Sequence, residues 1–150
     1  MTGENDLLPP ADAGEPEYRL QDQIGFVLRR AHQRHVAIFA GHIGDLTPPQ
    51  FAALAKLYET GATSQNQLGS LIAMDAATVK GVIDRLHTRG LVELTPHEAD
   101  KRRLMVSLTA EGRAAVERLI PLARRITAET LAPLTRKEAA TLMRLLGKLG

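Results

Sequence analysis

The stretch from Ser64 to Leu108 constrains the fold of this chain more than any other part of the sequence. It opens with Ser-Gln-Asn-Gln, a capping-box pattern that predicts a short helix to about residue 72. Asp75 predicts the cap of a second helix over residues 76–89, which Gly90 ends. Strand patterns over 91–94 and 104–108 follow, separated by a charged turn. A helix-turn-helix followed by such a β-hairpin is a winged helix.

Longer helical patterns lie on both sides of this block. Apolar residues at helical spacing predict a first helix over residues 18–43. Thr47-Pro48 predicts the start of the next one, because threonine is a good cap and proline suits the first helical position. Further helices are predicted over 110–131, with a kink at Pro121, and over 136–148. The predicted fold is mainly α with a small β-hairpin wing, and 150 residues suffice for one domain with a real core.

Charge is distributed unevenly along the chain. The first 17 residues contain five acidic and no basic side chains, together with three prolines, which predicts a disordered acidic tail over 1–17. The other 133 residues carry 19 basic against 12 acidic side chains, a net charge of +7. A basic domain attracts anions such as nucleic acid, an anionic membrane surface or an anionic ligand, although such a charge is also common in domains of this size.

Several classes of protein are disfavoured by what the sequence lacks. There is no cysteine, which excludes disulfides, cysteine nucleophiles, cysteine redox sensing and thiolate zinc sites. With aromatic residues at only 3%, a base-stacking platform for single strands is not expected. No phosphate-binding loop, G-x-S-x-G or H-E-x-x-H motif occurs, so no enzyme is predicted. The chain has neither an apolar run long enough for a membrane helix nor a signal-peptide pattern, and we expect a cytoplasmic location.

The helix predicted over 76–89 has two different faces. Its apolar residues form one stripe, whereas the opposite face combines small residues with Thr78 and Lys80. Gly81 lies within this face, although glycine costs about 1 kcal/mol in a helix relative to alanine. Close approach to the major groove of DNA, where Lys80 could reach a guanine and Thr78 a thymine methyl group or a phosphate, explains such a face. The alternative is an ordinary solvent-exposed surface.

The tip of the predicted hairpin is cationic. Lys101, Arg102 and Arg103 follow Asp100, which could pair with an arginine and fix its direction. Arginine is attracted to the narrow minor groove, so a tip of this kind next to a helix-turn-helix favours DNA binding. An isolated hairpin with the same charges would more simply be a solvated turn.

Together, these segments resemble the MarR family of bacterial transcriptional regulators. The pattern Asp100-x-Arg102-x3-Val106-x-Leu108-Thr109-x2-Gly112 is similar to that family's wing signature. The stretches Ser64–Gly69, Met74-Asp75 and Thr78–Val92, with the phrase RLxxRGLV, resemble its helix-turn-helix. The similarity extends over roughly residues 20–148.

The resemblance implies a homodimer on palindromic double-stranded DNA, with residues 18–46 and 109–150 forming the dimerisation region and 47–108 the winged helix. It implies phosphate contacts at Ser64 and Gln65, a groove-facing surface at Ala76, Ala77, Thr78 and Lys80, and backbone contact by Arg85. At the wing it implies Arg102 in the minor groove, oriented by Asp100, with Lys101 and Arg103 on phosphates. Half-sites one helical turn apart would match a two-fold dimer. The apolar stripes of the long helices independently indicate a partner chain, because one small winged-helix block cannot cover all of them.

The same family often responds to small phenolic or aromatic acids or to their coenzyme A thioesters. The implied ligand is a small anionic effector rather than a cofactor, and the expected protein is a repressor that the effector releases. The first helix offers these candidate ligand residues: Phe26, Arg29, Arg30, Arg34, His35 and Phe39. The arginines could instead pair with acids or contact DNA phosphate, and a histidine on an apolar face is commonly a core or interface residue.

The sequence also allows a metal site and a different function to be assessed from its residues. His32, His35 and His42 share one predicted helix, but the spacing without a carboxylate pattern does not predict a metal site. A winged helix that serves as a protein-interaction or architectural module, without ligand response, is the alternative function. Asp84, an acidic residue on the predicted recognition face, departs mildly from a DNA-binding surface, whereas Arg102 favours one.

Overall fold

The computed structural model describes residues 16–150, so residues 1–15 of the predicted acidic tail lie outside the described part. A single 3-10 turn, Leu20–Asp22, comes first. The elements that follow are α1 (Ile24–His42), α2 (Pro48–Thr60), β1 (Thr63–Ser64), α3 (Gln65–Leu71), α4 (Ala76–Thr88), β2 (Val92–Pro96), β3 (Leu104–Leu108), α5 (Ala110–Leu131) and α6 (Arg136–Leu149). This confirms the predicted mainly helical fold with a hairpin wing.

The chain divides into two compact units, of which one ends at Gln33 and the other begins at Arg34. In the first unit, the sequence-based start of the first helix at residue 18 was wrong. Gln23 has extended backbone angles of φ −89° and ψ 137°, so the 3-10 turn and α1 are separate elements. Leu20 lies in the turn and contributes no turn of α-helix.

A third strand was missed by the sequence analysis. The strand order is β1-β3-β2, and β1 pairs with β3 through Thr63 opposite Val106 and Ser64 opposite Met105. Two residues have no periodicity to detect, which explains the omission. The partner strand β2 extends to Pro96, two residues further than predicted. Since β2 lies at an edge, a proline without an N–H is tolerated there.

Side-chain caps fix where the helices begin. Thr47 and Gln50 form a reciprocal capping box at α2, and Thr135 and Glu138 form the one predicted for α6. At α3, the Ser64 hydroxyl accepts a hydrogen bond from the Gln67 amide at 3.2 Å, which is one half of the predicted box. Such caps are worth about 1 kcal/mol each because they satisfy otherwise unpaired N–H groups. They hold the short helices of the winged block in register.

The core of the second unit lies where α2, α3, α4 and α5 meet the small sheet. Its fully buried side chains include Leu54, Leu57, Leu68, Val79, Ile83, Leu86, Val92, Val106, Val116 and Leu119. Val79, Ile83 and Leu86 form the inner face of α4. With that face buried, the polar and small residues of α4 must face outward.

A tight junction joins α5 to the base of the wing. The Thr109 hydroxyl donates to the Gly90 carbonyl at 2.7 Å and accepts from the Gly112 amide at 2.9 Å, and the Thr109 amide donates to the Leu91 carbonyl at 3.1 Å. A Cβ built on Gly112 would lie 2.0 Å from the Leu91 carbonyl oxygen. The Leu-Thr-x-x-Gly part of the wing pattern is therefore a packing requirement at this junction.

Candidate nucleic-acid interface and effector cavity

The outer face of α4 is exposed along its length. Ala76, Ala77, Thr78, Lys80 and Arg85 are all solvent-exposed. Gly81 belongs to the same face, and nothing lies within 4 Å of the position a Cβ would occupy. A small, open surface of this kind on a helix permits close approach by a second macromolecule.

Three charged residues of α4 and its N-cap, Asp75, Lys80 and Asp84, have partners on the helix itself. Lys80 Nζ lies 2.8 Å from Asp84 Oδ2, an i,i+4 ion pair that the sequence analysis did not predict. At the N-terminus, Asp75 accepts a hydrogen bond from the Thr78 amide at 2.7 Å. That backbone hydrogen bond, with a second from the Thr78 side chain, holds the pKa of Asp75 below its ordinary value of 3.8. The cap therefore stays ionised at neutral pH. Asp84 uses one of the three N–H donors of Lys80, so the other two are available to a base.

The wing tip is a folded turn that presents one arginine. His97 Nδ1 accepts from the amides of Ala99 at 3.1 Å and Asp100 at 3.3 Å. Asp100 Oδ1 in turn accepts from the amide of Arg102 at 3.1 Å and from its Nε at 3.4 Å. The Arg102 side chain is nevertheless 94% exposed. The pairing expected between Asp100 and Arg102 is thus present, and it leaves the outer edge of the guanidinium available.

A cationic cleft lies between the wing and the start of α3. Its volume is about 130 Å³, and it is lined by Ser64, Gln65, Asn66, Arg102, Arg103 and Leu104. Ser64 is only 4% exposed, and its hydroxyl also accepts from Arg103 Nη2 at 3.4 Å. A phosphate in the cleft would therefore meet Gln65 and the arginines rather than an exposed serine. Asn66 was missed because a single amide in a helical pattern carries no distinctive signal.

A second, largely apolar cavity of about 320 Å³ lies between α1, α2 and α5. It is lined by His35, Phe39, Pro48, Phe51, Ala52, Ala123, Ile126 and Thr127. The rings of Phe39 and Phe51 meet edge to face, with centroids 6.3 Å apart. Two predicted ligand residues, His35 and Phe39, are therefore together at one site. The lining from α2 and α5 was missed, since nothing local in sequence relates residues some 90 positions apart.

Polar contacts tie α1 to the C-terminal end of α5 beside this cavity. Arg34 donates to the carbonyls of Thr130 at 2.7 Å and Glu129 at 2.8 Å. His35 Nδ1 lies 2.9 Å from the Thr130 hydroxyl, and His42 Nε2 lies 2.8 Å from Glu129 Oε1. Arg34, predicted as a ligand residue, thus caps a helix in this structure, where a cation is favourable.

The remaining predicted ligand residues belong to the unit that ends at Gln33. Arg29 and Arg30 are exposed, and Phe26 is partly buried. The Arg30 guanidinium lies 5.9 Å from the centroid of the Phe26 ring, within cation–π distance. Their role toward a ligand stays a prediction.

Residues 16–150 contain neither a metal-ligand cluster nor a membrane-spanning helix. Residues 16–150 contain no group of three or more side chains that could hold a metal ion. None of the helices in the described part of the chain has the length and apolarity needed to cross a membrane.

The fold defines a winged helix-turn-helix protein, and comparisons with known proteins specify its relatives. The MarR family model matches residues 46–104. The HTH-type transcriptional repressor NicR of Pseudomonas putida is 39% identical over 134 residues, covering 88% of this chain and 85% of NicR.

Two solved structures are similar over nearly the whole chain. One is a probable transcriptional regulator from Pseudomonas aeruginosa, 55% identical, with a TM-score of 0.84 over 88% of this chain and all of that one. The other is BpsR of Bordetella bronchiseptica, whose DNA binding is regulated by 6-hydroxynicotinic acid. BpsR is 42% identical, with a TM-score of 0.86 over 89% of this chain and 97% of its own.

The chain belongs to the MarR family of transcriptional regulators. This confirms the resemblance found in the sequence. Family membership also confirms that the protein is a transcriptional regulator rather than an enzyme.

Gly81→Ala separates stability from DNA binding. We expect it to raise the free energy of unfolding by about 1 kcal/mol, because alanine is the better helix former and its Cβ meets no neighbour. The added methyl group stands on the outer face of α4, so affinity for a preferred duplex should fall about tenfold, by about 1.4 kcal/mol. Thermal unfolding and fluorescence anisotropy measure the two effects. Gly147→Ala on α6, where nothing lies within 4 Å of the new Cβ, is the control for the gain in stability.

Proposed function

We propose that this protein is a homodimeric repressor that binds a palindromic DNA site and is released from it by a small aromatic acid. The observation that carries the DNA-binding part is the exposed outer face of α4 beside a wing whose Arg102 is oriented by Asp100. The proposed contacts are those implied by the wing and helix motifs, with Gln65 and Arg103 on phosphate. Such a regulator would act in the bacterial cytoplasm.

Exposed apolar surface supports dimerisation. On α6, the side chains of Leu142, Met143, Leu145, Leu146 and Leu149 are between 37% and 69% exposed. In the unit ending at Gln33, exposed apolar residues include Tyr18, Leu20, Ile24, Val27 and Leu28. Contiguous exposed apolar patches of this kind mark interaction sites, and a second copy of the chain offers the same patches in return.

The cavity between α1, α2 and α5 supports an aromatic effector. Its size is near the lower end of the range for small-molecule sites, which suits a single ring. The lining is aromatic and aliphatic apart from His35 and Thr127, so a flat apolar ring with a polar edge is the complementary ligand. The regulation of BpsR by 6-hydroxynicotinic acid favours this chemical class. We propose no metal and no bound cofactor, and an aromatic acyl thioester is the larger alternative.

Release would follow from a shift in population. Two conformations of the dimer are needed, one whose two α4 helices are spaced to fit the DNA and one whose helices are not. The effector must bind the second conformation more tightly than the first. A change from 99% bound to 99% released requires about a 10⁴-fold difference between these affinities.

Selection from a random pool of duplex DNA tests the proposal. Purified protein at near-physiological salt should enrich a palindrome with half-sites about one helical turn apart. Adding 6-hydroxynicotinic acid should then weaken binding to the selected duplex. Only general, salt-sensitive binding would instead favour the architectural or protein-interaction alternative.

His35→Ala tests the effector cavity. Loss of one hydrogen-bonding side chain from its wall should weaken binding of 6-hydroxynicotinic acid five- to tenfold, by about 1 kcal/mol, as measured by isothermal titration calorimetry. His42→Ala is the matched control, because His42 also contacts α5 but does not line the cavity. Equal losses in both variants would mean that the contacts between α1 and α5, and not the cavity wall, determine affinity.

A further inference from the structure

Arg89 connects two parts of the molecule that are distant in sequence. Its guanidinium donates from Nη1 to the main-chain carbonyl of Asp45, and Nη2 lies 3.6 Å from Asp45 Oδ2. One planar side chain thus holds both the backbone and the carboxylate of a single residue, which a lysine cannot do with the same geometry. The contact spans 44 positions of the chain.

Asp45 lies in the short connection between the two helices that form much of the effector cavity. Residues 43–47 connect α1, which contributes His35 and Phe39, to α2, which contributes Pro48 and Phe51. The connection is itself anchored by core residues, because Ile43 is 2% exposed and Leu46 is 6% exposed. Because the connection has only five residues and is packed against the core, a displacement of either helix by a ligand would be passed on to Asp45 and not taken up by a flexible loop.

At its other end, the same contact reaches the DNA-binding elements. Arg89 is the C-cap of α4, the helix whose outer face carries Thr78 and Lys80. Gly90, with φ +74°, follows it, and its carbonyl accepts from Thr109 at the junction with α5. Arg89 therefore sits where the recognition helix ends and the wing begins.

We propose that Arg89 is a positioning residue that transmits the state of the effector cavity to α4 through Asp45. This inference rests on the proposed function of the cavity as the effector site. When a ligand moves α1 or α2, the carbonyl and carboxylate of Asp45 draw the C-terminal end of α4 with them. The orientation of α4 then depends on the cavity, and without the Arg89 side chain that dependence is largely lost.

A double-mutant cycle tests the proposal without requiring the natural effector. Ala123→Leu adds three carbon atoms to the cavity and serves as a built-in occupant. We measure operator affinity by anisotropy, with the duplex selected above, in four proteins: the parent, Ala123→Leu, Arg89→Ala and the double variant. The effect of Ala123→Leu is expressed as the ratio of operator affinities with and without that substitution, in proteins that share the same residue at position 89. Any direct effect of Arg89→Ala on affinity cancels in this ratio.

In the Arg89 background, we expect Ala123→Leu to change operator affinity at least fivefold, the lower end of typical coupling between sites. In the Arg89→Ala background, the change should be less than twofold. Arg89→Lys, which keeps the charge but not the forked geometry, should give an intermediate ratio. Lys56→Ala, which removes an ion pair contained within α2, should leave the ratio at its parent value.

The proposal is overturned if the two backgrounds give the same ratio, or if Ala123→Leu has no effect in either. Thermal unfolding of each variant shows that it is folded at the assay temperature. A separate titration of the parent with 6-hydroxynicotinic acid reports on the effector class. If 6-hydroxynicotinic acid does not bind, the proposed effector class is wrong. The role of Arg89 is still decided, because the double-mutant cycle does not use that ligand.

Discussion

Gly112→Ala is expected to destabilise the protein by about 3 kcal/mol, at the upper end of typical overpacking effects. The new Cβ would lie 2.0 Å from the Leu91 carbonyl oxygen and 3.0 Å from its carbonyl carbon, and neither is part of a flexible side chain. Relief requires α5 to move away from the start of the wing, which would break the hydrogen bonds that Thr109 makes to Gly90 and Leu91. Thermal unfolding should show a midpoint lower by about 10 °C.

The control for this experiment is Gly81→Ala, the same change in another helix. There the added methyl group meets open space, so the unfolding midpoint should rise instead. If the unfolding midpoint falls for Gly112→Ala and rises for Gly81→Ala, the close contacts at Gly112, and not helix propensity, make that glycine necessary. A midpoint for Gly112→Ala within 2 °C of the parent would contradict the tight junction described above.

Arg102→Ala is expected to weaken operator binding by between tenfold and a hundredfold, which is the effect of losing about 1.4–2.7 kcal/mol of contact energy. The side chain is 94% exposed and is oriented by Asp100, so its removal costs the free protein almost nothing. Anisotropy titrations at several salt concentrations should also show the slope of log K against log salt reduced by about one.

Lys101→Ala is the matched comparison, because it removes the same charge from the neighbouring residue of the wing. Lys101 is expected to contact phosphate without an orienting carboxylate. Its loss should therefore lower affinity by a similar factor for all DNA sequences, and by a smaller factor than the loss of Arg102. Equal losses would indicate that the wing acts only through net charge. An unchanged affinity in Arg102→Ala would remove the wing from the DNA-binding surface.

Patterns that arise within one element were predictable from the sequence. The 3.6-residue period placed the buried face of α4 and hence its outer face, because Val79, Ile83 and Leu86 leave only one side for small and polar residues. Caps at Asp75 and Thr135 were predicted because their partners lie three residues away. The pairing of Asp100 with Arg102 is equally local.

Contacts that depend on packing were not predictable in this way. The partner of Arg34 is the end of α5, 95 residues further along the chain, and that of Arg89 is a main-chain carbonyl. The half of the cavity that α2 and α5 contribute was missed for the same reason. Ser64 illustrates a related difficulty: its pattern predicts a helix cap, but its burial arises from strand β1, which two residues are too few to reveal.

The junction at Thr109 and Gly112 gives α5 a mechanical property. Because one end of this 22-residue helix is fixed to the base of the wing, α5 acts as a lever about 33 Å long. Ala123, Ile126 and Thr127, which line the cavity, lie toward its opposite end. If the helix tilts about Ile126, which is about 24 Å along the axis from Ala110, a tilt of only 5° would move the wing by about 2 Å, more than half the rise of one base pair. In the proposed dimer, a ligand would therefore need to produce no large local rearrangement for the two wings to lose their register with the DNA.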